Sequence, residues 1–480
     1  MNSSSAAARG LALAVLIVAV AMAMLDTTIV NVALPTLRSS IGADEATLSW
    51  IISGYSLASG LALIPAGRIG DRIGHKPVFL TGLAAFTIAS LACGLSHDAV
   101  QLIVARVVQG LGAGVFFPAV VAFIQLLFAG RARGRAFAVM GATIGLATAL
   151  GPLIGGLIIE ALGADQGWRW IFFVNVPIGA LALGAGLWLL PRRRPERPAA
   201  AGIDLPGAGL LTLGLVAILV PLIEGEQLGW PLWTWVSIVA GVVLIALFGA
   251  WEVVHARRGR VPLVPPRLFA HPSFAGGVVL AFVYFAGFTS IFFTLSLLWQ
   301  AGLQHSALET GLMTIPFSIG AILGAALSER LAHSIGRTVL AIGTGLLATG
   351  LVALWLVTLT VPSADLTSWL LLAPLAAAGV GSGLFIGPNA QFITATVDRT
   401  EAGAASGVIS TVQRIGAAMG IAIVGSVLFA SLDPALLAQG RPDAAFGGAA
   451  AGALAVSAAF AIVAFVLVFV LPKRVPDSSG

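Results

Sequence analysis

Fourteen long apolar segments constrain what this chain can fold into. Each has about twenty residues or more, the length of α-helix that crosses the hydrocarbon core of a bilayer, and the chain is 58% hydrophobic and only 9% charged. A backbone in hydrocarbon must satisfy its own hydrogen bonds, which a helix does internally. The sequence therefore predicts an all-α polytopic membrane protein with fourteen transmembrane helices. The predicted segments are 11–37, 45–66, 77–96, 99–128, 135–160, 170–190, 205–223, 232–254, 273–299, 308–328, 338–358, 367–392, 403–430 and 449–471.

Composition excludes several classes of function. Cys93 is the only cysteine, so the chain has no internal disulfide, and we expect no metal site. No GxxxxGKS or GxxxxGKT sequence is present, which argues against ATP binding through a P-loop. The net charge of +5 is explained by membrane topology better than by nucleic-acid binding. We therefore expect a protein without cofactors, whose remaining energy source is an ion gradient.

The distribution of basic residues predicts the orientation in the membrane. An even number of helices puts both termini on one side, and 20 of the 25 basic residues lie in the termini and the even-numbered connections. The positive-inside rule then predicts that both termini lie in the cytoplasm. We expect a multi-pass protein of the cell (inner) membrane. The first apolar run lacks a convincing cleavage site, so we expect it to be retained as helix 1.

Two long basic linkers and an internal repeat predict the organisation. The linkers at 191–204 and 255–272 bracket helices 7 and 8, which suggests a half at 1–195, an inserted hairpin at 196–260 and a half at 261–480. Parallel repeats of this kind are a known transporter plan, with substrate held between the halves at mid-membrane. One chain contains both halves, so a monomer suffices. In the repeat, Gly110, Gly112, Gly114, Phe116 and Pro118 match Gly379, Gly381, Gly383, Phe385 and, with one extra residue, Pro388.

A carboxylate lies in the middle of helix 1. The stretch LDTTIVNVALP contains Asp26, and an ionisable group at that depth usually marks an ion or substrate pathway. Arg106 of helix 4 lies at a depth that differs by roughly 6 Å, and Gln109 lies near the depth of Asp26. We predict that Asp26 exchanges between a protonated state and an ionised state paired with Arg106; the alternative is a static pair that fixes two helices. The position equivalent to Arg106 in helix 12 is Leu375, so this chemistry belongs to the N-terminal half.

The connection between helices 2 and 3 reads GRIGDRIGHK. Its glycines allow a tight turn, and its acid can pair with a nearby base. Here the chain resembles the major facilitator superfamily, in which this loop forms a cytoplasmic latch that breaks when the halves rock. Ordinary positive-inside charge is the alternative, but it explains the bases alone. The resemblance implies a cytoplasmic gate at Gly67, Asp71, Arg72, Gly74 and Lys76.

Helix 5 carries GATIGLATALGPLIGG, whose small residues permit close helix contact and whose Gly-Pro step bends the helix. On the fifth helix it resembles the antiporter signature of the same superfamily. With fourteen helices, GEQLGW and TVQRIGAAMG, the chain resembles the fourteen-helix drug:proton antiporter branch. The signature residues are Gly141, Gly145, Gly151, Pro152, Gly155 and Gly156.

This resemblance implies a non-enzymatic, proton-coupled efflux antiporter that exports lipophilic drugs or toxic small molecules across the plasma membrane by alternating access. Few acids lie at mid-depth besides Asp26, which favours small lipophilic or cationic cargo. Export of an endogenous antibiotic or lipid, proton-coupled uptake of a metabolite, and sodium coupling fit the same residues. Tyr284 and Phe288 also fit a lipid-facing or core role, and Arg414 also fits a structural role. Candidate cavity residues are Asn31, Gln109, Phe117, Tyr284, Phe288 and Arg414.

Overall fold

The structure, a computed structural model, describes residues 3–128, 130–191, 204–225, 228–260, 262–394 and 402–471. Within these ranges, thirteen helices are long and apolar enough to cross a membrane, and a bent pair within 135–162 makes a fourteenth span. The predicted all-α fold with fourteen spans is confirmed. We number the spans α1 to α14. The side of the bundle where α1 begins and α14 ends is called the terminal side, and the other is called the far side.

Two spans are broken and one ends in a wide turn. The break in α6 is at Val174, the break in α10 is at Thr314, and α9 continues through a π turn at Leu298–Gly302. The spans are α1 Ser3–Ile41, α2 Glu45–Ile73, α3 His75–Leu95, α4 Ala99–Leu127, α5 Gly130–Leu162, α6 Ala164–Phe173 with Asn175–Leu189, α7 Leu205–Glu224, α8 Leu232–Arg257, α9 Pro272–Leu297, α10 Ala307–Met313 with Ile315–Ile335, α11 Thr338–Thr360, α12 Ser368–Thr394, α13 Ala402–Ala430 and α14 Pro442–Val468.

Several helices extend beyond their predicted ends. The predicted loop at 67–76 is helical except at Gly74, because α2 runs to Ile73 and α3 begins at His75. Apolar composition marks only the part of a helix in hydrocarbon, whereas the backbone hydrogen bonds continue into the interface, where charged side chains are solvated. Gly74 has φ 98°, a conformation that favours glycine, and it makes the turn.

The two halves repeat the same packing. In the N-terminal half α4 packs on α2 and α3, α1 packs on α5, and α3 packs on α6. Each of these pairs has a counterpart eight spans later: α12 on α10 and α11, α9 on α13, and α11 on α14. This correspondence is the predicted pseudo-twofold repeat. The proposed boundary at 195/196 lies outside the described residues.

Matching glycines set the distance between helices in both halves. A Cβ atom on Gly110 would collide with the carbonyl of Tyr55, and one on Gly379 would collide with the carbonyl of Phe317. Contacts of this kind let two helix backbones touch, as small residues do in membrane helix pairs. The repeat predicted from sequence is therefore a repeat of backbone contacts.

The halves meet along two seams and at a smaller contact between α1 and α9, where Gln300 Nε2 donates to the Val32 carbonyl at 2.9 Å. In the seam between α2 and α13, the Thr411 hydroxyl donates to the Gly60 carbonyl at 3.0 Å and the Ser53 hydroxyl to the Ala418 carbonyl at 3.2 Å. The other seam lies between α5 and α10. The pseudo-axis that exchanges the halves also exchanges the two seams. A rocking motion of the halves must change both.

The inserted hairpin of α7 and α8 is joined to the seam and to the following linker. Helix α7 packs on α2 and α13, whereas α8 packs mainly on α7. At the terminal side, buried Asp204 caps α7 at the Gly207 N–H (2.9 Å) and accepts from Trp251 Nε1 (2.9 Å). Buried Glu252 accepts from the Val264 N–H at 2.7 Å. Asp204 thus joins the two helices of the hairpin, and Glu252 ties the hairpin to the linker.

The glycine contact predicts the effect of a single methyl group. Gly379→Ala should destabilise the protein by about 1–3 kcal/mol, because the new Cβ overpacks the α10–α12 contact. Gly448→Ala is the matched control, since no atom lies within 4 Å of a Cβ at that helical position. We expect a lower melting temperature in detergent for the first variant only. Equal melting temperatures for the two variants would contradict this packing.

The buried Asp204 cap at the start of α7 predicts a second difference between matched variants. Asp204→Ala removes a buried cap together with the acceptor of the Trp251 indole, so it should cost about 2–3 kcal/mol. Asp433 also caps a helix, at the Ala435 N–H, but is exposed, so Asp433→Ala should cost at most about 1 kcal/mol. Thermal unfolding in detergent measures both. A smaller loss for Asp204→Ala than for Asp433→Ala would argue against the anchoring role.

Candidate functional site

The structure brings Asp26 of α1 and Arg106 of α4 into direct contact. Arg106 Nη1 lies 2.6 Å from Asp26 Oδ2, and the two residues are 1% and 0% exposed. Burying either charge alone would cost several kcal/mol, whereas a hydrogen-bonded pair offsets much of that cost. The two helices are thus joined by an ion pair inside the N-terminal half.

Two amides complete the shell around the carboxylate. Gln109 Nε2 and Asn175 Nδ2 each donate to Asp26 Oδ1 at 2.8 Å. Both amides also donate to the Ser90 hydroxyl, at 3.1 and 3.0 Å, and Ser90 donates to the Phe172 carbonyl at 2.9 Å. The network therefore draws donors from α4 and α6 onto one carboxylate of α1, and Ser90 of α3 joins the two amides as their shared acceptor. Both carboxylate oxygens are satisfied.

The guanidinium has further partners that orient it. Arg106 Nε donates to the Ile51 carbonyl at 3.1 Å, and Nη1 also donates to Gln109 Oε1 at 2.6 Å. Its Cζ atom lies 4.2 Å from the centre of the Tyr55 ring, a cation–π contact. The guanidinium therefore has two acceptors and one aromatic face as partners besides Asp26.

The geometry allows one chemical event at this site. A proton on Asp26 cancels the charge that holds Arg106 and turns one acceptor oxygen into a donor. In the observed state the pair is sealed from water, since Gln109 and Asn175 are 0% and 1% exposed. Proton exchange therefore requires a change of packing around α1. The site can link the charge of one carboxyl group to helix position.

Helix α5 connects this site to the other half. A Cβ on Gly151 would collide with Thr28 of α1, and one on Gly155 would lie 2.8 Å from Ile29. On its other face, a Cβ on Gly156 would lie 2.6 Å from the Ala307 carbonyl of α10. The signature glycines thus let α5 touch both the helix of Asp26 and the C-terminal half.

The bend in α5 lies where the sequence predicts it. Its parts Arg135–Thr148 and Leu150–Leu162 meet at 41°, one turn before Pro152. Proline has no N–H to donate to the carbonyl four residues earlier, which frees that turn to bend. A Cβ on Gly141 would have no neighbour within 4 Å, and the surroundings of Gly145 lie outside the described residues.

The predicted gate residues occupy different places. Lys76 is buried and donates to the Leu187 and Leu190 carbonyls at 2.7 and 2.6 Å, so it holds the end of α6 within the N-terminal half. Arg72 is exposed. A Cβ atom added to Gly67 would lie 3.8 Å from the Cβ atom of Pro118. The side chain of Asp71 lies outside the described residues. The latch role of this segment stays a prediction.

The candidate cavity residues do not form one site. Asn31 lines a small cavity between the halves, and Gln109 belongs to the Asp26 network. Arg414 is half-buried in the α2–α13 seam, where a Cβ atom added to Gly60 would lie 2.9 Å from the Cβ atom of Arg414. Phe117 is half-buried against the core of the N-terminal half.

Tyr284 and Phe288 lie in the core of the C-terminal half. Tyr284 is 0% exposed and stacks on Phe385 at 3.9 Å between ring centres, and Phe288 stacks on Tyr284 at 5.8 Å. Leu375, the counterpart of Arg106, is 0% exposed in the same cluster. The core that is polar in the first half is therefore aromatic and aliphatic in the second.

A comparison of the sequence with protein families gives the assignment. The profile of the Major Facilitator Superfamily matches residues 16–421, and a second match covers residues 277–480. The chain belongs to the Major Facilitator Superfamily. The resemblance inferred from its loop and helix motifs is thereby confirmed.

Relatives with assigned names are transporters and resistance proteins. "Probable actinorhodin transporter" of Streptomyces coelicolor is 35% identical over 411 residues, which are 85% of this chain and 70% of that protein. "Cephamycin export protein CmcT" of Amycolatopsis lactamdurans is 36% identical over 431 residues, 88% and 86% of the two chains. "Puromycin resistance protein pur8" of Streptomyces alboniger is 34% identical over 461 residues, 95% and 89%. This facilitator is a membrane transporter and not an enzyme.

Solved structures share the fold. The crystal structure of an auto-inhibited peptide transporter of the POT family covers 95% of each chain with a TM-score of 0.65. The two sequences are 16% identical, so the likeness concerns the fold alone. Within the described residues, no group of three or more His, Cys, Asp or Glu side chains could hold a metal ion.

Sequence reasoning missed four members of the site of this facilitator. Ser90, Asn175, Tyr55 and Cys93 surround the ion pair; the Cys93 thiol donates to Gln109 Oε1 at 3.6 Å. Asn175 carried a usable signal, because it is the lone amide in the apolar run WIFFVNVPIG. Serine and tyrosine are common in membrane helices, so Ser90 and Tyr55 carried none.

The ion pair predicts a non-additive effect on stability. Arg106→Met leaves Asp26 buried without its counter-charge and should cost about 3–5 kcal/mol. Adding Asp26→Asn removes that charge too, so the double variant should recover part of the loss. Melting temperatures in detergent give the comparison, with exposed Arg441→Met as control. A double variant no more stable than Arg106→Met would argue against a charged pair.

Proposed function

We propose that this facilitator is an efflux antiporter of the cell membrane that exports small lipophilic molecules in exchange for protons. The observation that carries the proposal is the sealed Asp26–Arg106 pair, which lies against the helix that contacts the other half. Relatives named as export and resistance proteins support the outward direction. Proton coupling and the nature of the cargo are our inferences.

The proposed cycle uses the two states of Asp26. When the site opens toward the outside, a proton binds Asp26 and releases Arg106, and cargo leaves. When the site opens toward the cytoplasm, the proton departs, Asp26 pairs with Arg106 again, and cargo binds. The pair is thus the element whose two arrangements bias the position of the halves.

The signature glycines give this cycle a mechanical route. Thr28 and Ile29 are two and three residues beyond Asp26 on α1, and they touch Gly151 and Gly155 of α5. The next residue, Gly156, touches α10. A shift of α1 upon proton binding must move α5 and with it the α5–α10 seam, because these backbones are in contact. Helix α5 is the proposed coupling element.

The energy supplied by one proton is sufficient for resistance. A membrane potential of about 100 mV supplies roughly 2.3 kcal/mol for each proton, and each pH unit adds about 1.4. Together they sustain a gradient of roughly several hundredfold for a neutral cargo exchanged one for one. No further energy source is needed.

We further propose that both termini are cytoplasmic and that the working unit is a monomer. The basic residues of the even-numbered connections support the orientation. The monomer is supported by the presence of both halves and both seams in one chain. The gate at 67–76 would then face the cytoplasm.

Export of an antibiotic made by the same cell is the second candidate function. It is favoured by relatives named for actinorhodin and cephamycin. The two functions use the same site and the same cycle, and they differ only in cargo. The two functions are separated by one vesicle assay with a panel of drugs and with extracts from cultures of the organism that encodes this chain.

Proton-coupled flux in inside-out vesicles tests the mechanism. Asp26→Asn should reduce cargo-dependent proton movement to the level of vesicles without the protein, because the amide neither binds nor releases a proton at neutral pH. Glu160→Gln is the control, since Glu160 is an exposed acid in α5. Unchanged coupled flux in Asp26→Asn would rule out Asp26 as the proton carrier.

A further inference from the structure

Pro35, the last residue of the stretch LDTTIVNVALP, removes one hydrogen bond from α1. It lies inside the helix and has no N–H, so the carbonyl of Asn31, four residues earlier, lacks its usual helical donor. The proline ring also crowds that carbonyl and turns it away from the helix axis. A buried carbonyl without a donor costs free energy comparable to a lost hydrogen bond. The Asn31 carbonyl therefore needs a donor from outside α1.

The donor comes from the other half of the protein. The Ser296 hydroxyl of α9 donates to the Asn31 carbonyl. One turn later on α9, Gln300 Nε2 donates to the Val32 carbonyl at 2.9 Å and to Ser296 Oγ at 3.2 Å. Ser296 and Gln300 are 2% and 9% exposed. Two buried side chains of the C-terminal half thus bind the backbone of α1 next to the bond that the proline removes.

The wide turn of α9 includes one of these two side chains. Gln300 lies in the π turn Leu298–Gly302, which is closed by a hydrogen bond of 2.9 Å from the Leu303 N–H to the Leu298 carbonyl. Single π turns inside α-helices are frequent at functional sites. The irregular turn of α9 therefore coincides with its contact to α1.

The inserted hairpin contains the same arrangement of proline, carbonyl and serine. Pro221 of α7 leaves the Ala217 carbonyl without its helical donor, and the Ser237 hydroxyl of α8 donates to that carbonyl at 2.8 Å. This bond joins the two helices of one hairpin, whereas the bond at Asn31 joins the two halves. The hairpin therefore offers a reference in which the chemistry is the same and the halves are not involved.

The contact at Asn31 lies on the far side of the ion pair. Asn31 is five residues beyond Asp26 on α1, roughly 7.5 Å along the helix axis. Helices α1, α5, α9 and α10 meet there around a small cavity lined by residues of all four. The halves are thus closed against each other on this side. Alternating access requires these contacts to break when the site opens there.

We infer that Pro35, Ser296 and Gln300 form a gate on the far side of the site. The proline presents a carbonyl of α1 to the other half, and the two side chains of α9 bind α1 there while that side is closed. The inference rests on the proposed function, because alternating access is what requires the contact to break. Since the gate and Asp26 share α1, a shift of that helix on proton binding acts on the gate directly.

The reaction rate of a buried cysteine measures how often the far side opens. Ser49 is 3% exposed in the α2–α13 seam, where a Cβ atom added to Gly425 would lie 3.0 Å from its hydroxyl oxygen. The test uses Ser49→Cys in a Cys93→Ser background, in nanodiscs, with a small charged methanethiosulfonate reagent. A buried thiol reacts only in molecules that have opened, so its rate follows the open fraction. Ala364→Cys, at an exposed far-side position, checks that reagent reactivity is constant.

Matched serine variants separate the gate from general loosening. Ser296→Ala leaves the Asn31 carbonyl unsatisfied in the closed state and should raise the labelling rate of Ser49→Cys about threefold or more. Ser237→Ala removes the equivalent bond of the hairpin and should leave that rate unchanged. An unchanged rate in Ser296→Ala would overturn the inference. An equal rise in both variants would also overturn it, because it would reflect looser packing.

A second donor variant keeps the test independent of one substitution. Gln300→Met removes the donor to the Val32 carbonyl at nearly the same volume, so it should also raise the labelling rate about threefold. Thermal unfolding in detergent shows which variants are folded. If Ser296→Ala does not fold, Gln300→Met decides the question, and an unchanged rate in that variant counts against the gate.

The role of the proline is tested by a double-variant cycle. Pro35→Ala returns an N–H to the Asn31 carbonyl, so the closed state should depend less on the Ser296 hydroxyl. In the Pro35→Ala background, Ser296→Ala should raise the labelling rate by less than about twofold. A rise as large as in the wild-type background would mean that Ser296 does not act through the carbonyl freed by the proline, and that part of the inference would be wrong.

The proposed function and this inference fail differently. If no drug or extract moves protons in wild-type vesicles, the antiport proposal is wrong, whatever the labelling rates are. If the wild type exchanges cargo for protons but Ser296→Ala and Gln300→Met leave the labelling rate unchanged, the function holds and the gate is wrong.

Discussion

The cost of burying one carboxylate organises the N-terminal half. Asp26 would be unstable in the membrane interior without counter-charge and donors, and the structure supplies Arg106, Gln109 and Asn175 from two other helices. Because these partners come from α4 and α6, neither helix can turn about its axis without breaking the network. The same bonds hold α1, α4 and α6 in fixed positions around the carboxylate.

The fold could be predicted from the sequence because apolar length and basic loops are direct consequences of the bilayer. Asp26 and Arg106 stood out because charge is rare at that depth. The orientation of Tyr284 and Phe288 could not be predicted, since their helix is apolar on every side and no polar face marks where the core lies. Ser90 escaped notice for a related reason: a hydroxyl can bond to its own helix, so its presence does not imply a partner.

The halves share backbone contacts and differ in what fills them. Gly110 and Gly379 make equivalent approaches, yet one half encloses a charged network and the other an aromatic cluster around Tyr284 and Leu375. The buried ion pair is therefore confined to the N-terminal half. Helices α5 and α10 are where that half contacts the apolar core of the other.

The inserted hairpin makes the two seams unequal toward the lipid. Helix α7 lies over the α2–α13 seam, whereas no described helix packs in the same way over the α5–α10 seam. The two seams, which the pseudo-axis makes equivalent in the packing of the halves, therefore differ in what covers them. Among the described residues, the added pair of helices packs over one seam and leaves the seam at the bent helix α5 without that cover.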